Sequence, residues 1–234
     1  MNTNTQSNLT LESGPIEVLS PYSSKRWSNA NVFKAKDELG REWVVKDFSP
    51  CNFFVRHTFA RLLLWREVRA LRHLQGLDGI PGPLMAWGKW ALAYPYIPGV
   101  TLHEALFGKE RVGKLYFEAL EALVIKMHEK GIAHHDLRNK NNILITADGS
   151  PALIDFQSAV SIKGLPGRLR RLMFVVDLSG VYKYWNKLSP ETMTPQGKEA
   201  VQRMASLRRF WVLRGYPLHN LFGRPASRKQ TKSL

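Results

Sequence analysis

The run His134-His135-Asp136-Leu137-Arg138-Asn139-Lys140-Asn141-Asn142-Ile143-Leu144 constrains this chain more than any other segment. An acid is followed five residues later by an amide, and an apolar, strand-like run comes directly after. Asp148-Gly149 reads as a hairpin turn, and the returning strand ends in Leu153-Ile154-Asp155-Phe156. This order brings two carboxylates, an amide and a guanidinium toward one point. A hydroxyl is a poor nucleophile, and a carboxylate such as Asp136 can orient it and accept its proton. Asn141 and Asp155 offer the oxygen donors that magnesium prefers, with phosphate supplying most of the rest. Arg138 places a cation where charge spreads during phosphoryl transfer. Each feature is weak alone; their order, with one hairpin between them, carries the reading.

The flanking chain supplies a frame for that point. Residues 1–13 read as a disordered N-terminus, and Ile16–Leu19 as a short strand. Val32–Ala35 and Glu42–Lys46 flank a Gly-containing turn, as a hairpin does. A helix is expected over Phe54–Leu74, with Leu63, Glu67, Ala70, Leu71 and Leu74 on one stripe. Glu67 is the odd member, a carboxylate on an apolar face. Strands follow near Leu84–Trp87 and Trp90–Tyr94, and a second long helix spans about 113–130 with Gly131 at its C-terminal cap. Beyond the hairpin the chain reads as mostly helical. The expected units are a strand-rich lobe over 14–95, a helix-rich lobe over 96–222 and a basic disordered tail over 223–234.

Charge divides the chain unevenly. From Ser161 onward there are 15 Lys/Arg against 3 Asp/Glu, a net +12, whereas the first 160 residues carry only +3. That asymmetry fits an anionic acceptor or membrane surface on the C-terminal half, or equally a solvated basic tail. The single cysteine, Cys51, excludes an intrachain disulfide and fits a cytoplasmic location. No signal-peptide pattern and no apolar run of membrane-spanning length is present, so any attachment to the inner membrane face is peripheral. The basic, aromatic stretch Leu207–Arg214 is open to that reading or to core packing. No recognised nucleic-acid motif occurs, and His128-Glu129 lacks the second histidine of a zinc-protease helix.

These residues together resemble the protein-kinase-like superfamily over about 16–190. His134-His135-Asp136 is similar to the His-Arg-Asp catalytic loop, with Asn141 at its metal-binding Asn. Asp155-Phe156-Gln157 is similar to Asp-Phe-Gly, with the glycine replaced. The resemblance implies an α+β, bilobal protein-kinase-like fold that uses ATP and magnesium (Mg2+). It implies that Lys46 holds the α- and β-phosphates and that Glu67 pairs with it. Tyr94–Gly99 looks like the interlobe hinge, where the Pro95 carbonyl and the Ile97 N–H would meet adenine; Pro95 lacks an N–H but keeps its carbonyl. Asp177 resembles the buried acid that braces the catalytic loop from a later helix, and His134 the histidine that supports the loop backbone.

Departures from the pattern narrow it. The segment Ser20–Asn29 between the first two strands has no glycine, so Ser23, Ser24, Lys25, Arg26 or backbone N–H groups would have to touch the phosphates. Only 21 residues lie between Asp155 and Asp177, too few for a full peptide-docking activation segment, and His135 replaces the usual Arg. This trimmed pattern resembles small atypical bacterial kinases, either the lipopolysaccharide-core Kdo/heptose kinases or the RIO-like group. The expected activity is transfer of the ATP γ-phosphate to a hydroxyl, with a slight lean toward a lipopolysaccharide-core sugar. A serine/threonine protein acceptor and a non-catalytic pseudokinase are the alternatives.

Overall fold

The computed structural model describes residues 10–11, 14–23, 30–82, 84–87, 89–108 and 112–207. The N-terminal lobe is a six-stranded antiparallel sheet in the order β1-β2-β3-β4-β6-β5. Its strands are β1 (Thr10–Leu11), β2 (Gly14–Ser23), β3 (Asn31–Asp37), β4 (Glu42–Asp47), β5 (Met85–Trp87) and β6 (Ala91–Pro95). The N-terminal segment read as disordered thus contributes a short strand at Thr10–Leu11. The next strand is ten residues long rather than four. Its pairing with β3 shifts between Val18 and Ser20 and again between Pro21 and Ser23. Such bulges break the two-residue alternation that marks a strand in sequence.

One long helical rod crosses behind the sheet. It consists of α1 (Phe53–Val55), a π-helical turn (Arg56–Ala60) and α2 (Arg61–Leu74). Asn52 caps it by accepting from Phe54 N–H at 3.0 Å. The buried residues of α2 are Glu67, Ala70, Leu71 and Leu74, the stripe that faces the core.

The chain changes sheets after Pro95. β7 (Gly99–Thr101) pairs with β9 (Ile143–Thr146), which pairs with β10 (Pro151–Leu153). Gly99 is needed there, because a Cβ would lie 2.4 Å from the Ile145 carbonyl oxygen. Between them come α3 (Leu102–Gly108), α4 (Lys114–Glu129) and β8 (Ile132–Ala133), which pairs with β11 (Val160–Ser161). α5 (Gly167–Leu188) and α6 (Pro195–Leu207) complete the helical lobe. A single apolar core links the lobes, joining Leu71, Leu74, Leu92 and Tyr94 to Leu120, Met127, Leu153, Phe156, Val181 and Trp185. No helix among the described residues is long and apolar enough to cross a membrane. The basic tail 223–234 lies outside the described residues, as do residues 208–214 of the basic, aromatic stretch.

Candidate functional site

Three buried or half-buried charges meet where the lobes join. Strand β4 carries Lys46 inward, α2 presents Glu67 from its core stripe, and Asp155 follows the end of β10. Lys46 Nζ donates to Glu67 Oε1 at 2.6 Å and to Asp155 Oδ1 at 2.8 Å. Burial opposes the charge on Lys46, but Glu67, Tyr94 and Asp155 together outweigh it and hold the ammonium well above the ordinary lysine range. Burial likewise opposes ionisation of Asp155, yet Lys46 outweighs it and keeps that carboxyl below the usual range. Asp155 sits in the left-handed region at φ 65°, and its side chain remains 41% exposed. The carboxylate is therefore charged, aimed by strained backbone and still accessible.

The loop that runs from His134 to Asn142 is held from beneath by α5. Asp177, fully buried, accepts from His134 N–H and His135 N–H at 2.7 Å each and from His128 Nε2–H at 2.9 Å. His128 stacks on Phe174 with ring centroids 4.1 Å apart. Three converging donors on one dry carboxylate fix the path of the loop and stabilise the left-handed turn at His135, φ 67°. The His135 ring reaches back to Met173 Sδ on the same helix. α5 approaches so closely because Gly180 faces Leu137, where a Cβ would lie 2.4 Å from the carbonyl oxygen.

Inside the loop, His134 Nε2–H donates to the Ile154 carbonyl at 3.0 Å, and its Nδ1 accepts from Asp136 N–H at 3.3 Å. That pairing requires the neutral ring, and burial pushes the His134 pKa down in agreement. The loop is thus tied to the residue immediately before Asp155.

Asn141, the residue expected to face a metal, and its neighbour Asn142 are placed differently. Asn141 is exposed, and its backbone N–H is taken by Asn139 Oδ1 at 3.2 Å. Asn142 is buried and donates from Nδ2 to the Asp136 carbonyl at 3.1 Å and to Asp136 Oδ2 at 2.9 Å. With its amide protons spent on Asp136, its amide oxygen is the group left to face a ligand. The shorter amide contact to the Asp136 carboxylate is thus from Asn142, six positions on, with Asn139 Nδ2 donating to the same oxygen at 3.4 Å. Asn141 and Asn142 both belong to a 3-10 turn, Lys140–Asn142, in which successive side chains point about 120° apart. The clue in the sequence is adjacency to the apolar run: Asn142 directly precedes β9.

Arg138 is exposed, and Nη1 donates to Ser179 Oγ on α5 at 3.0 Å. Its carbonyl accepts from Lys183 Nζ at 3.1 Å and from the Tyr184 hydroxyl. Arg66 is a further tether that the sequence reading did not single out: it donates to the Ser158 and Ala159 carbonyls at 2.8 and 3.1 Å, binding α2 to the segment after Asp155. His128 was also passed over as a brace, although it falls four residues after buried Val124 on the inner stripe of α4.

At the hinge, Tyr96 N–H donates to the Glu42 carbonyl at 2.9 Å, and Pro95 lies opposite Trp43. In an antiparallel ladder this makes Pro95 a non-hydrogen-bonded partner of β4, so its carbonyl points to the other edge, past the end of β5 at Met85. Ile97 lies two residues farther on. Ser23 is not in a loop: it ends β2 opposite Val32. Ser24, Lys25 and Arg26 lie outside the described residues.

Oxygen donors at Asp155 and Asn142 fit magnesium chemically. Among the described residues no group of three or more His, Cys, Asp or Glu is placed to hold a metal by itself. An ion here would draw its other oxygens from phosphate and water. Residues 31–197 match the family model for the RIO domain. No curated protein matches the chain.

Proposed function

The chain belongs to the RIO domain family, an atypical protein-kinase-like family, and on that premise we propose that it transfers the ATP γ-phosphate to a hydroxyl of a protein acceptor. The observation that carries the reading is the bridge of Lys46 to Glu67 and Asp155 at 2.6 and 2.8 Å. Two carboxylates around one buried cation leave the junction with an excess negative charge, which a divalent cation or a cation–phosphate pair can balance.

Lys46, kept protonated and oriented by Glu67, holds the α- and β-phosphates. Asp155 and the amide oxygen of Asn142 would hold magnesium, which when bound would neutralise charge on the transferring phosphoryl group. Asp136, fixed by Asn142 and by the His134 ring beneath it, orients the acceptor hydroxyl and receives its proton. Arg138 projects its cation beside the γ-phosphate from the face that Ser179 steadies. The Pro95 carbonyl and the Ile97 N–H receive adenine.

Family membership supports a protein hydroxyl over the lipopolysaccharide-core sugar, whose support is the basic C-terminal half alone. Incubation with γ-labelled ATP, magnesium and, separately, protein extract or purified lipopolysaccharide distinguishes the acceptors. Label on protein alone, absent with Asp155→Ala, is the expected result. Label on the glycan alone would replace the protein acceptor by a sugar. ATP binding without label on any acceptor, or on the enzyme itself, would make the domain a binding module.

A further inference from the structure

Helix α2 has a second face unrelated to its ion pair. Opposite the buried Glu67, Ala70, Leu71 and Leu74, the side chains of Arg61, Leu62, Trp65, Arg69 and Arg72 share an arc of about 100°, given 3.6 residues per turn. All five are exposed. Just before them stand Phe53, Phe54 and Phe59, exposed by 61, 76 and 62%, while Leu62 and Trp65 are exposed by 50 and 56%. Single exposed apolar residues are ordinary; five within one short helical rod, on the arc and at its margins, call for an occupant.

The patch is also positive. Residues 53–74 hold five Arg, of which Arg66 is turned to the Ser158 and Ala159 carbonyls, and one acid, Glu67, which is buried on the far side against Lys46. Arg69 lies over the Trp65 ring at 5.1 Å, and the Trp90 ring, with Arg56 and Lys89 each 5.5 Å from it, extends the same basic, aromatic surface. Residues 208–234 carry seven Lys/Arg and no acid, so they bring no charge complementary to this face. The occupant is therefore anionic and takes up apolar groups as well. Nucleic acid satisfies the first demand and leaves Phe54, Phe59 and Leu62 without a place. A bilayer surface with anionic headgroups satisfies both.

We propose that the outer face of the Phe53–Leu74 rod docks this chain on an anionic membrane. Phe53, Phe54, Phe59, Leu62 and Trp65 enter the boundary between headgroups and acyl chains. Arg61, Arg69 and Arg72 lay their aliphatic stems along it and reach lipid phosphates. The rod lies on the bilayer rather than across it, in keeping with the absence of a spanning helix among the described residues. This face differs from the basic C-terminal half, and the proposal stands apart from phosphoryl transfer because docking needs no nucleotide.

Flotation of the full chain with vesicles of phosphatidylcholine, with and without phosphatidylglycerol, tests it in the absence of ATP. The chain should float with the phosphatidylglycerol vesicles and fall away as salt rises. A Phe54→Ser/Phe59→Ser/Trp65→Ser variant should lower the bound fraction about tenfold, through lost apolar insertion. So should Arg61→Glu/Arg69→Glu/Arg72→Glu, which keeps the aromatic groups and so guards against a folding defect in the first variant. Wild-type melting in at least one of them, with binding lost, supports the proposal. No flotation of the wild type would overturn it. So would wild-type flotation of a folded variant, which would place binding elsewhere, or capture of duplex nucleic acid in preference to vesicles.

Discussion

Asp177 and Asp155 approach the same loop from opposite sides and meet different fates. Asp177 is fully buried and saturated by His128, His134 and His135, all protein donors. Asp155 has Lys46 as its side-chain partner and a side chain 41% exposed. The first fixes where the chain goes; the second is held charged but left accessible. Carboxylates of the same type thus separate into one that builds the site and one suited to a ligand, and their surroundings make the difference.

Mutation should pull the two apart. Asp155→Ala leaves the Lys46–Glu67 pair in place, so it should abolish phosphoryl transfer by about 10³-fold while leaving the fold intact. Asp177→Ala strands two backbone N–H groups and the His128 ring, at a cost of about 3–5 kcal/mol in urea unfolding. Equal stability losses in both variants would erase the distinction.

Gly180 sharpens the Asp177 side. In Gly180→Ala the new Cβ would fall 2.4 Å from Leu137 O and 2.5 Å from Leu137 C, both backbone atoms that cannot swing away. The expected cost is about 2 kcal/mol, read as a lower melting temperature, with slower transfer as the loop shifts. An unchanged melting temperature would show that α5 need not approach so closely.

A smaller effect follows from pH. Burial lowers the His134 pKa below its ordinary value of 6.5, so the unfolded chain gains this proton before the native one. His134 therefore contributes stability above about pH 6.5 that is lost as pH falls through the depressed native value. Protonation also removes the Nδ1 acceptor for Asp136 N–H. His134→Gln should flatten the acid limb of the stability profile measured by denaturant titration from pH 7.5 to 5. An identical limb in both proteins would assign it to other groups.

How much of this could be read beforehand depended on what each pattern encodes. Helical periodicity exposes a carboxylate on an apolar stripe, so Glu67 stood out and could be matched with Lys46. Strand and helix order gave a strand-rich lobe before a helix-rich one, and the motif resemblance gave the kinase-like α+β architecture that the family match supports. Rotation within a short turn leaves no comparable trace. Counting from Asp136 selected Asn141, while the buried amide that donates to Asp136 is that of Asn142; spacing measures distance along the chain and not which way a 3-10 turn faces. The π-helical turn Arg56–Ala60 and the register shifts in β2 were hidden for a related reason: each adds residues out of period. Arg66 and Gly180 act through distant backbone carbonyls and could be recognised only once α2 and α5 were in place.

The central claim is that Asp136, Asn142 and Asp155 form one magnesium-dependent phosphoryl-transfer edge. Single-turnover consumption of labelled ATP, with magnesium varied, by Asn142→Ala and Asn141→Ala tests it most directly. Asn142→Ala should lose about 100-fold in rate and require more magnesium, while Asn141→Ala should stay within about twofold of the wild type. A large loss in Asn141→Ala with a near-normal Asn142→Ala would contradict the account.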